Sequence, residues 1–279
     1  MSLATCAAAV NISADPSPRD GAPQSMEHGA GAEHRLGSTG VMVRWTAMKD
    51  GDQRPLELGG QRNREGLYAF GRKQVWLSQV HGSRVVRVTG PEISPGEPAD
   101  ALVSARDDVC LTIFVADCAP VVLASREGVM AAVHAGWRGL MAGVVHAAVT
   151  AMASMGATEI IGAVGPCVHA ECYEFSARDL DAVASRFGDE VRSTAAGGQS
   201  SLDLPAAVSV ALREAGVSCV FQAIECTACS GLHFSHRAMR SPERQAMLVW
   251  RHSEKERDQE NAGLFGKYGS RLVPNTQVL

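Results

Sequence analysis

Two histidines and one cysteine stand out in the sequence because each interrupts or ends an apolar run. His81 lies in the segment SQVHG, Cys118 in ADCAP, and His134 in VHAGWRG. Two imidazoles and one thiolate suit Zn²⁺ or copper. Three protein ligands leave a fourth position for water, which is the pattern of a catalytic metal site. The residue types therefore predict a metal centre, with Zn²⁺ as the expected ion and copper as the second candidate.

Each of these residues also has a simpler interpretation when it is taken alone. A histidine at the end of a strand usually makes only a hydrogen bond, and a cysteine in an apolar run usually packs in the core. The spacing contains neither a C-x-x-C nor an H-E-x-x-H motif across the three positions. The metal hypothesis therefore requires that the fold bring three separate segments together.

A second group of thiols has no assigned role. Cys226 and Cys229 form a C-x-x-C, and Cys167 and Cys172 could supply two more thiolates. A zinc ribbon would need a second C-x-x-C, and a thioredoxin-like role would need the pair at a helix start. The other interpretation is that these thiols simply pack in the core or lie at the surface.

Short apolar and β-branched runs surround the candidate ligands and predict strands. Runs at 75–79 and 84–88 flank His81, which predicts a strand, a tight turn and a strand. Further strand patterns lie at 110–115, 121–124, 128–133, Ile160–Val164, 217–224 and 246–250.

Helical patterns are interspersed with these strands. An Ala-rich segment at 140–155 predicts one long helix that ends at Gly156. Ser176 and Asp203 are predicted N-caps of two further helices. Closely spaced early strands favour a mixed sheet with covering helices over a strictly alternating βαβ fold.

Composition limits the function classes. The 279 residues contain 26 Lys and Arg and 30 Asp and Glu, so the formal net charge is −4. Nucleic-acid binding usually needs a basic face, and a membrane span needs about 20 consecutive apolar residues, so neither partner is expected. Eight cysteines in so long a chain indicate reduced thiols and a cytoplasmic location. We expect a monomer or a small homo-oligomer.

Composition also divides the chain. Residues 1–40 are rich in Ala, Ser, Gly and Pro and lack any period, which predicts a disordered tail. Residues 41–252 are predicted to form a single metal-dependent catalytic domain, and residues 253–279 form a polar C-terminal tail.

Several segments together resemble a known family. LSQVHG, ADALVS, ADCAPVVL, AAVHAGWRGLMAGVV, IGAVGPCV with CYEF, SLDLPAA and HFSHR occur in the order seen in the multicopper polyphenol oxidoreductase (laccase-like) family, also called the peptidoglycan editing factor family. The resemblance implies a layered α/β sandwich with mixed β-sheets, similar to the toxin-like cysteine hydrolase fold. It also implies that His81, Cys118 and His134 are the metal ligands.

The resemblance further implies a purine nucleoside phosphorylase. Such enzymes act on adenosine, inosine, guanosine or methylthioadenosine with phosphate, and the family also deaminates adenosine. Phosphate favours guanidinium partners, and Arg138 lies four residues after His134. Asn63 and Arg64 match an Asn-Arg pair near the family's active site, and Asp117 is the candidate acid/base group, or else orients a ligand histidine.

Two more site residues follow from the resemblance. Gln79 is expected to hold the His81 loop at the substrate site, and Arg237 matches a Ser-x-Arg segment that lines it. The chain departs from the family where a Thr-Arg-x-Gly-Gly-Val-Ser turn is usual, since residues 43–52 read VRWTAMKDGD. Arg44 is the candidate replacement for the missing arginine, and substrate range depends on this region.

Other functions remain open at this point. Cys118 as nucleophile and His134 as base would give an amide hydrolase that edits peptidoglycan precursors. Copper-dependent polyphenol oxidation needs more histidine ligands than these segments supply. A metal-sensing or partner-binding protein that lacks activity is the non-enzymatic alternative.

Overall fold

The computed structural model describes residues 33–55, 58–60, 68–90, 96–253 and 256. Within these residues the chain forms fifteen strands: β1 Glu33–Arg35, β2 Val41–Trp45, β3 Tyr68–Ala69, β4 Arg72–Ser78, β5 Val85–Arg87, β6 Glu97–Pro98, β7 Ala101–Ser104, β8 Val109–Val115, β9 Ala119–Ser125, β10 Met130–Ala135, β11 Ile160–Val164, β12 Arg192–Thr194, β13 Ser200–Leu202, β14 Ser218–Gln222 and β15 Gln245–Arg251. The described helices are α1 Trp137–Met141, α2 Val144–Ala153, α3 Ala177–Phe187, α4 Leu204–Glu214 and α5 His236–Met239.

The strands form two large mixed sheets and one small hairpin. The first sheet has the order β1-β2-β15-β8-β4-β3, with β6 beside β4, and the second has the order β14-β11-β9-β10-β7-β5. Parallel pairs, such as β4 with β8 and β5 with β7, occur beside antiparallel ones. The predicted layered α/β sandwich with mixed sheets is confirmed.

The second sheet is the middle layer, and the pattern of β9 shows why. Val121 and Leu123 pack into the core shared with the helices, whereas Val122 and Ala124 pack into the core between the sheets. Successive side chains of a strand point to opposite faces, so a strand buried on both faces is apolar throughout. This explains the uninterrupted apolar run that the sequence shows there.

Capping explains where two helices begin. Ser176 Oγ accepts a hydrogen bond from the Asp179 amide, and the Asp203 carboxylate accepts one from the Ala206 amide. These bonds satisfy amide groups that have no partner within the helix. The predicted starts of α3 and α4 are confirmed.

The predicted long helix over 140–155 is wrong, because the segment forms two helices. α1 ends at Met141, and α2 begins at Val144. Gly143 separates them with a φ of 83°, a left-handed conformation that glycine adopts without steric cost. The break turns the chain just after the GWRG segment.

The strands on either side of His81 do not form a hairpin, so the predicted strand, tight turn and strand at this position is wrong in its pairing. β4 belongs to the first sheet and β5 to the second, so the chain crosses between layers at His81-Gly82. The connection from β8 to β9 makes the same crossing at Cys118. Alternating apolar runs look alike in both arrangements, so the sequence pattern did not distinguish them.

The folded part begins before residue 41. β1 pairs with β2, and Leu36 is fully buried. Residues 1–32 of the predicted N-terminal tail and most of the predicted C-terminal tail lie outside the described residues, so these boundaries stay predictions. Among the described helices, none combines the length and the apolar character that a membrane crossing requires.

Candidate metal centre

The three predicted ligands meet at one end of the sandwich. His81 follows β4, Cys118 lies in the β8–β9 crossing, and His134 lies near the end of β10. The antiparallel register pairs His134 with Pro120, which places it next to the Cys118 turn. Their ligand atoms all lie within 4.8 Å of one another. The fold therefore supplies the convergence that the metal hypothesis required.

Asp100 orients one of these ligands. Its carboxylate is fully buried and accepts a hydrogen bond from His134 Nδ1 at 2.9 Å. Because Nδ1 is engaged, Nε2 is the His134 atom available to a metal. A carboxylate behind a histidine in this way fixes its ring orientation and raises its basicity as a ligand.

Asp100 also holds the segment of the second histidine. The amides of His81 and Gly82 donate to its carboxylate at 2.8 and 2.7 Å. His81 adopts a left-handed φ of 61°, which these bonds help to maintain. Burial opposes ionisation of Asp100, but the hydrogen bonds from His134 and Gly82 outweigh it and lower the carboxyl pKa.

The donor set fits a zinc ion. Cys118 Sγ lies 3.8 Å from His81 Nε2, while tetrahedral zinc with usual bond lengths separates a sulfur and a nitrogen ligand by about 3.5 Å. A Cβ on Gly136 would lie 2.9 Å from Cys118 Sγ and 3.0 Å from His81 Cδ2. The cluster is thus packed against the bare backbone of Gly136.

The cysteine and the buried histidine change each other's ionisation. Burial alone would raise the pKa of Cys118, but the neighbouring His134 and His81 lower it to about 6. Burial alone would lower the pKa of His134, but Cys118 and Asp100 raise it to about 9. The thiolate, which is the form that binds metals, is therefore favoured at neutral pH.

Asp117 lies beside Cys118 in a strained conformation with a φ of 98°. Its buried carboxylate accepts hydrogen bonds from Thr227 Oγ1 at 2.7 Å, from Ser235 Oγ at 2.7 Å and from the Arg237 amide at 2.6 Å. The structure therefore ties the Cys118 turn to two distant segments.

The cluster opens into a cavity of about 650 Å³. That volume suits a small molecule. Among the residues described, five arginines line it: Arg54, Arg138, Arg237, Arg240 and Arg244. Such a concentration of guanidinium groups beside a metal cluster favours an anionic ligand.

Aromatic rings position two of these arginines. The Arg138 guanidinium lies 4.5 Å from the centre of the Trp137 ring, and that of Arg237 lies 5.0 Å from the centre of the Tyr173 ring. Phe175 contacts both rings edge-to-face. Trp137 thus packs against both Phe175 and a cavity arginine.

The remaining predicted site residues divide into three cases. The Gln79 side-chain amide donates to the Phe114 carbonyl at 2.7 Å and accepts from its amide at 2.9 Å, so it joins the ends of β4 and β8 at the cavity wall. Asn63 and Arg64 lie outside the described residues. Arg44 lines a separate cavity, where its guanidinium nitrogen lies 3.6 Å from an oxygen of the Asp50 carboxylate.

Sequence reasoning missed Asp100 and three of the five cavity arginines, Arg54, Arg240 and Arg244. Asp100 was not singled out, although an aspartate that directly precedes an apolar strand needs a partner if it is buried. Arg240 and Arg244 were also missed, because nothing in their local sequence indicates that the segment after α5 closes the cavity.

Fold and site together define an α/β sandwich protein with a Cys-His-His cluster at an arginine-lined cavity. The family described as multi-copper polyphenol oxidoreductase laccase matches residues 57–252, and the chain belongs to this family. The chain is 38% identical over 183 residues to a purine nucleoside phosphorylase of Mycobacterium tuberculosis, covering 64% of this chain and 73% of that one. It is 32% identical over 199 residues to that of Escherichia coli, covering 68% and 80%.

Solved structures support the same fold. A Neisseria meningitidis protein of the DUF152 family matches with a TM-score of 0.67 and 26% identity, covering 77% of this chain and 95% of that one. The YlmD protein of Geobacillus stearothermophilus matches with a TM-score of 0.65 and 26% identity, covering 82% and 98%.

Proposed function

We propose that this protein is a metal-dependent purine nucleoside phosphorylase that also deaminates adenosine. The observation that carries the proposal is the convergence of His81, Cys118 and His134 at the end of a cavity lined by arginines. The names of the relatives in Mycobacterium tuberculosis and Escherichia coli support it.

Phosphorolysis makes demands that this cavity meets. The C1′–N bond of the nucleoside breaks, a bond from C1′ to a phosphate oxygen forms, and the departing purine nitrogen takes up the proton that hydrogen phosphate gives up. Phosphate must be held next to the sugar, and guanidinium groups bind it through paired hydrogen bonds. Arg138 and Arg237 are the proposed phosphate ligands, since both are exposed to the cavity and seated on aromatic rings.

The three ligands would hold zinc at the base of the cavity. When bound there, zinc supplies Lewis-acid stabilisation of developing negative charge. Asp100 keeps the two histidines in the orientation that binding needs. His81, Cys118 and His134 would supply three ligands, and water or substrate would supply the fourth.

We assign Asp117 a positioning role in this reaction. Its carboxylate already accepts three hydrogen bonds, among them one from the Arg237 amide. A carboxylate that already accepts three hydrogen bonds is better suited to fixing Arg237 than to transferring a proton. Asn63 and Arg64 remain proposed substrate contacts on the resemblance alone.

The test is product analysis with zinc-loaded protein. Adenosine with phosphate should give adenine and ribose 1-phosphate, and adenosine in water should give inosine. Arg138→Ala should lower kcat/KM for phosphate about 10- to 150-fold, because a charged hydrogen bond contributes about 1.5–3 kcal/mol. Arg126→Ala, on an exposed residue outside the cavity, should leave it unchanged. Zinc-loaded protein that releases neither adenine nor inosine would overturn the proposal.

One observation favours a second candidate. The partly buried Cys118 thiol lies beside two imidazoles and lines the cavity, which is the arrangement of a cysteine hydrolase. Such an enzyme would cleave an amide, as in the editing of peptidoglycan precursors, and would work without metal. Activity that survives chelation but is lost on alkylation of Cys118 would favour it over phosphorolysis.

A further inference from the structure

A second cluster of metal-binding side chains lies on the wall of the sandwich. Glu171 and Cys172 belong to a short 3₁₀ turn after β11, and Cys226 and Cys229 belong to the turn after β14. The ligand atoms of these four residues all lie within 4.8 Å of one another. We propose that they bind a second zinc ion, which has a structural role.

The donor set is that of a closed zinc site. Three thiolates and one carboxylate supply four ligands, which fills a tetrahedral shell and leaves no position for substrate. Cys229 Sγ already lies 3.6 Å from Glu171 Oε1, and tetrahedral zinc separates a sulfur and an oxygen ligand by about 3.6 Å.

Backbone hydrogen bonds hold the two segments together before any metal binds. The Thr227 amide donates to the Cys167 carbonyl at 2.9 Å, and the His169 amide donates to Cys226 Sγ at 3.4 Å. A hydrogen bond to a ligand sulfur fixes its orientation in the way that outer contacts do at other metal sites. Cys226 is buried, and the other three ligands are at least partly exposed, so an ion has a route from solvent.

The two segments also carry residues of the first site. Tyr173 follows Cys172 directly and lies under Arg237. Thr227 follows Cys226 directly and donates to Asp117. An ion that joins Cys172 to Cys226 would therefore fix one wall of the arginine-lined cavity without touching the substrate.

The test counts metal in the full chain rather than activity. After zinc loading and desalting, elemental analysis should find two equivalents per chain in the wild type and one in Cys229→Ser. Cys118→Ser should also hold one, since it loses only the first site. Cys219→Ser, which changes an exposed cysteine outside both clusters, should still hold two.

Cobalt loading supplies an independent readout. Thiolate-to-cobalt absorption should fall only slightly in Cys118→Ser, which retains about three-quarters of the ligand thiolates, and should fall strongly in Cys229→Ser. Since Cys229 is exposed, its replacement does not disturb the core. Equal zinc in wild type and Cys229→Ser would overturn the proposal, as would a disulfide joining Cys229 to Cys172 or Cys226 in non-reducing mass spectrometry.

Discussion

Asp100 is the residue on which the geometry of the first centre depends most. It binds His134 through the side chain and His81 through the backbone, so one carboxylate orients two ligands. In Asp100→Asn, an amide NH₂ in place of Oδ1 would lose the bonds from both His134 and His81, and in place of Oδ2 it would lose the bond from Gly82. Outer contacts of this kind change metal affinity by about 10- to 100-fold. Zinc competition with a chromophoric chelator should show a loss of that size.

A surface aspartate provides the matched control for this substitution. The Asp189 side chain is 91% exposed, and Asp189→Asn should leave zinc affinity unchanged. Unchanged affinity in Asp100→Asn would mean that His81 and His134 are oriented without the carboxylate, contrary to the role assigned here.

At this scale the sequence identified the members of the Cys-His-His cluster better than it identified the residues that support them. His81, Cys118 and His134 interrupt apolar runs, so they are visible locally. Asp100 contacts residues 18 and 34 positions away, and no local pattern reports such a contact. The same applies to Asp117, whose partners lie 110 to 120 residues further along the chain.

The link between β10 and α1 determines how closely the ligands approach the backbone. Gly136 caps α1 with ordinary backbone angles, so its importance lies in the absent side chain. Gly136→Ala would push a methyl group against Cys118 and His81. Overpacking costs about 1–3 kcal/mol, which corresponds to roughly 5- to 150-fold weaker zinc binding. Zinc titration of the refolded variant would measure this.

Gly197→Ala is the control for the effect of the extra methyl group. There the nearest atoms belong to the end of the Gln199 side chain, which is exposed and can move away. Wild-type zinc affinity in Gly136→Ala would show that the cluster is looser than its packing indicates.

The helix starts could be predicted from the sequence, since the side chains of Ser176 and Asp203 accept hydrogen bonds from amides only three residues away.

The two-sheet arrangement as a whole was less visible from the sequence than its strands. Strands such as β8, β9 and β10 are visible as apolar runs, but whether His81-Gly82 makes a hairpin or a crossing depends on which sheet receives β5. Val75 and Leu77 of one layer share the core between the sheets with Val122 and Ala124 of the other, and no local pattern reports such long-range packing. The crossings at His81 and Cys118 are also what bring the ligands together.

Because the first centre joins segments from both sheets, an ion bound there should stabilise the entire sandwich. A ligand present at 100 times its Kd adds about 2.7 kcal/mol, which raises the Tm of a domain this size by about 5–10 °C. Chelation should lower the Tm by that amount. Measuring it by calorimetry in the Cys229→Ser background removes any contribution from the second cluster. In the Cys118→Ser, Cys229→Ser double variant, chelation should have no effect. An unchanged Tm in the single variant, with zinc removal verified, would mean that the ion does not tie the two sheets together.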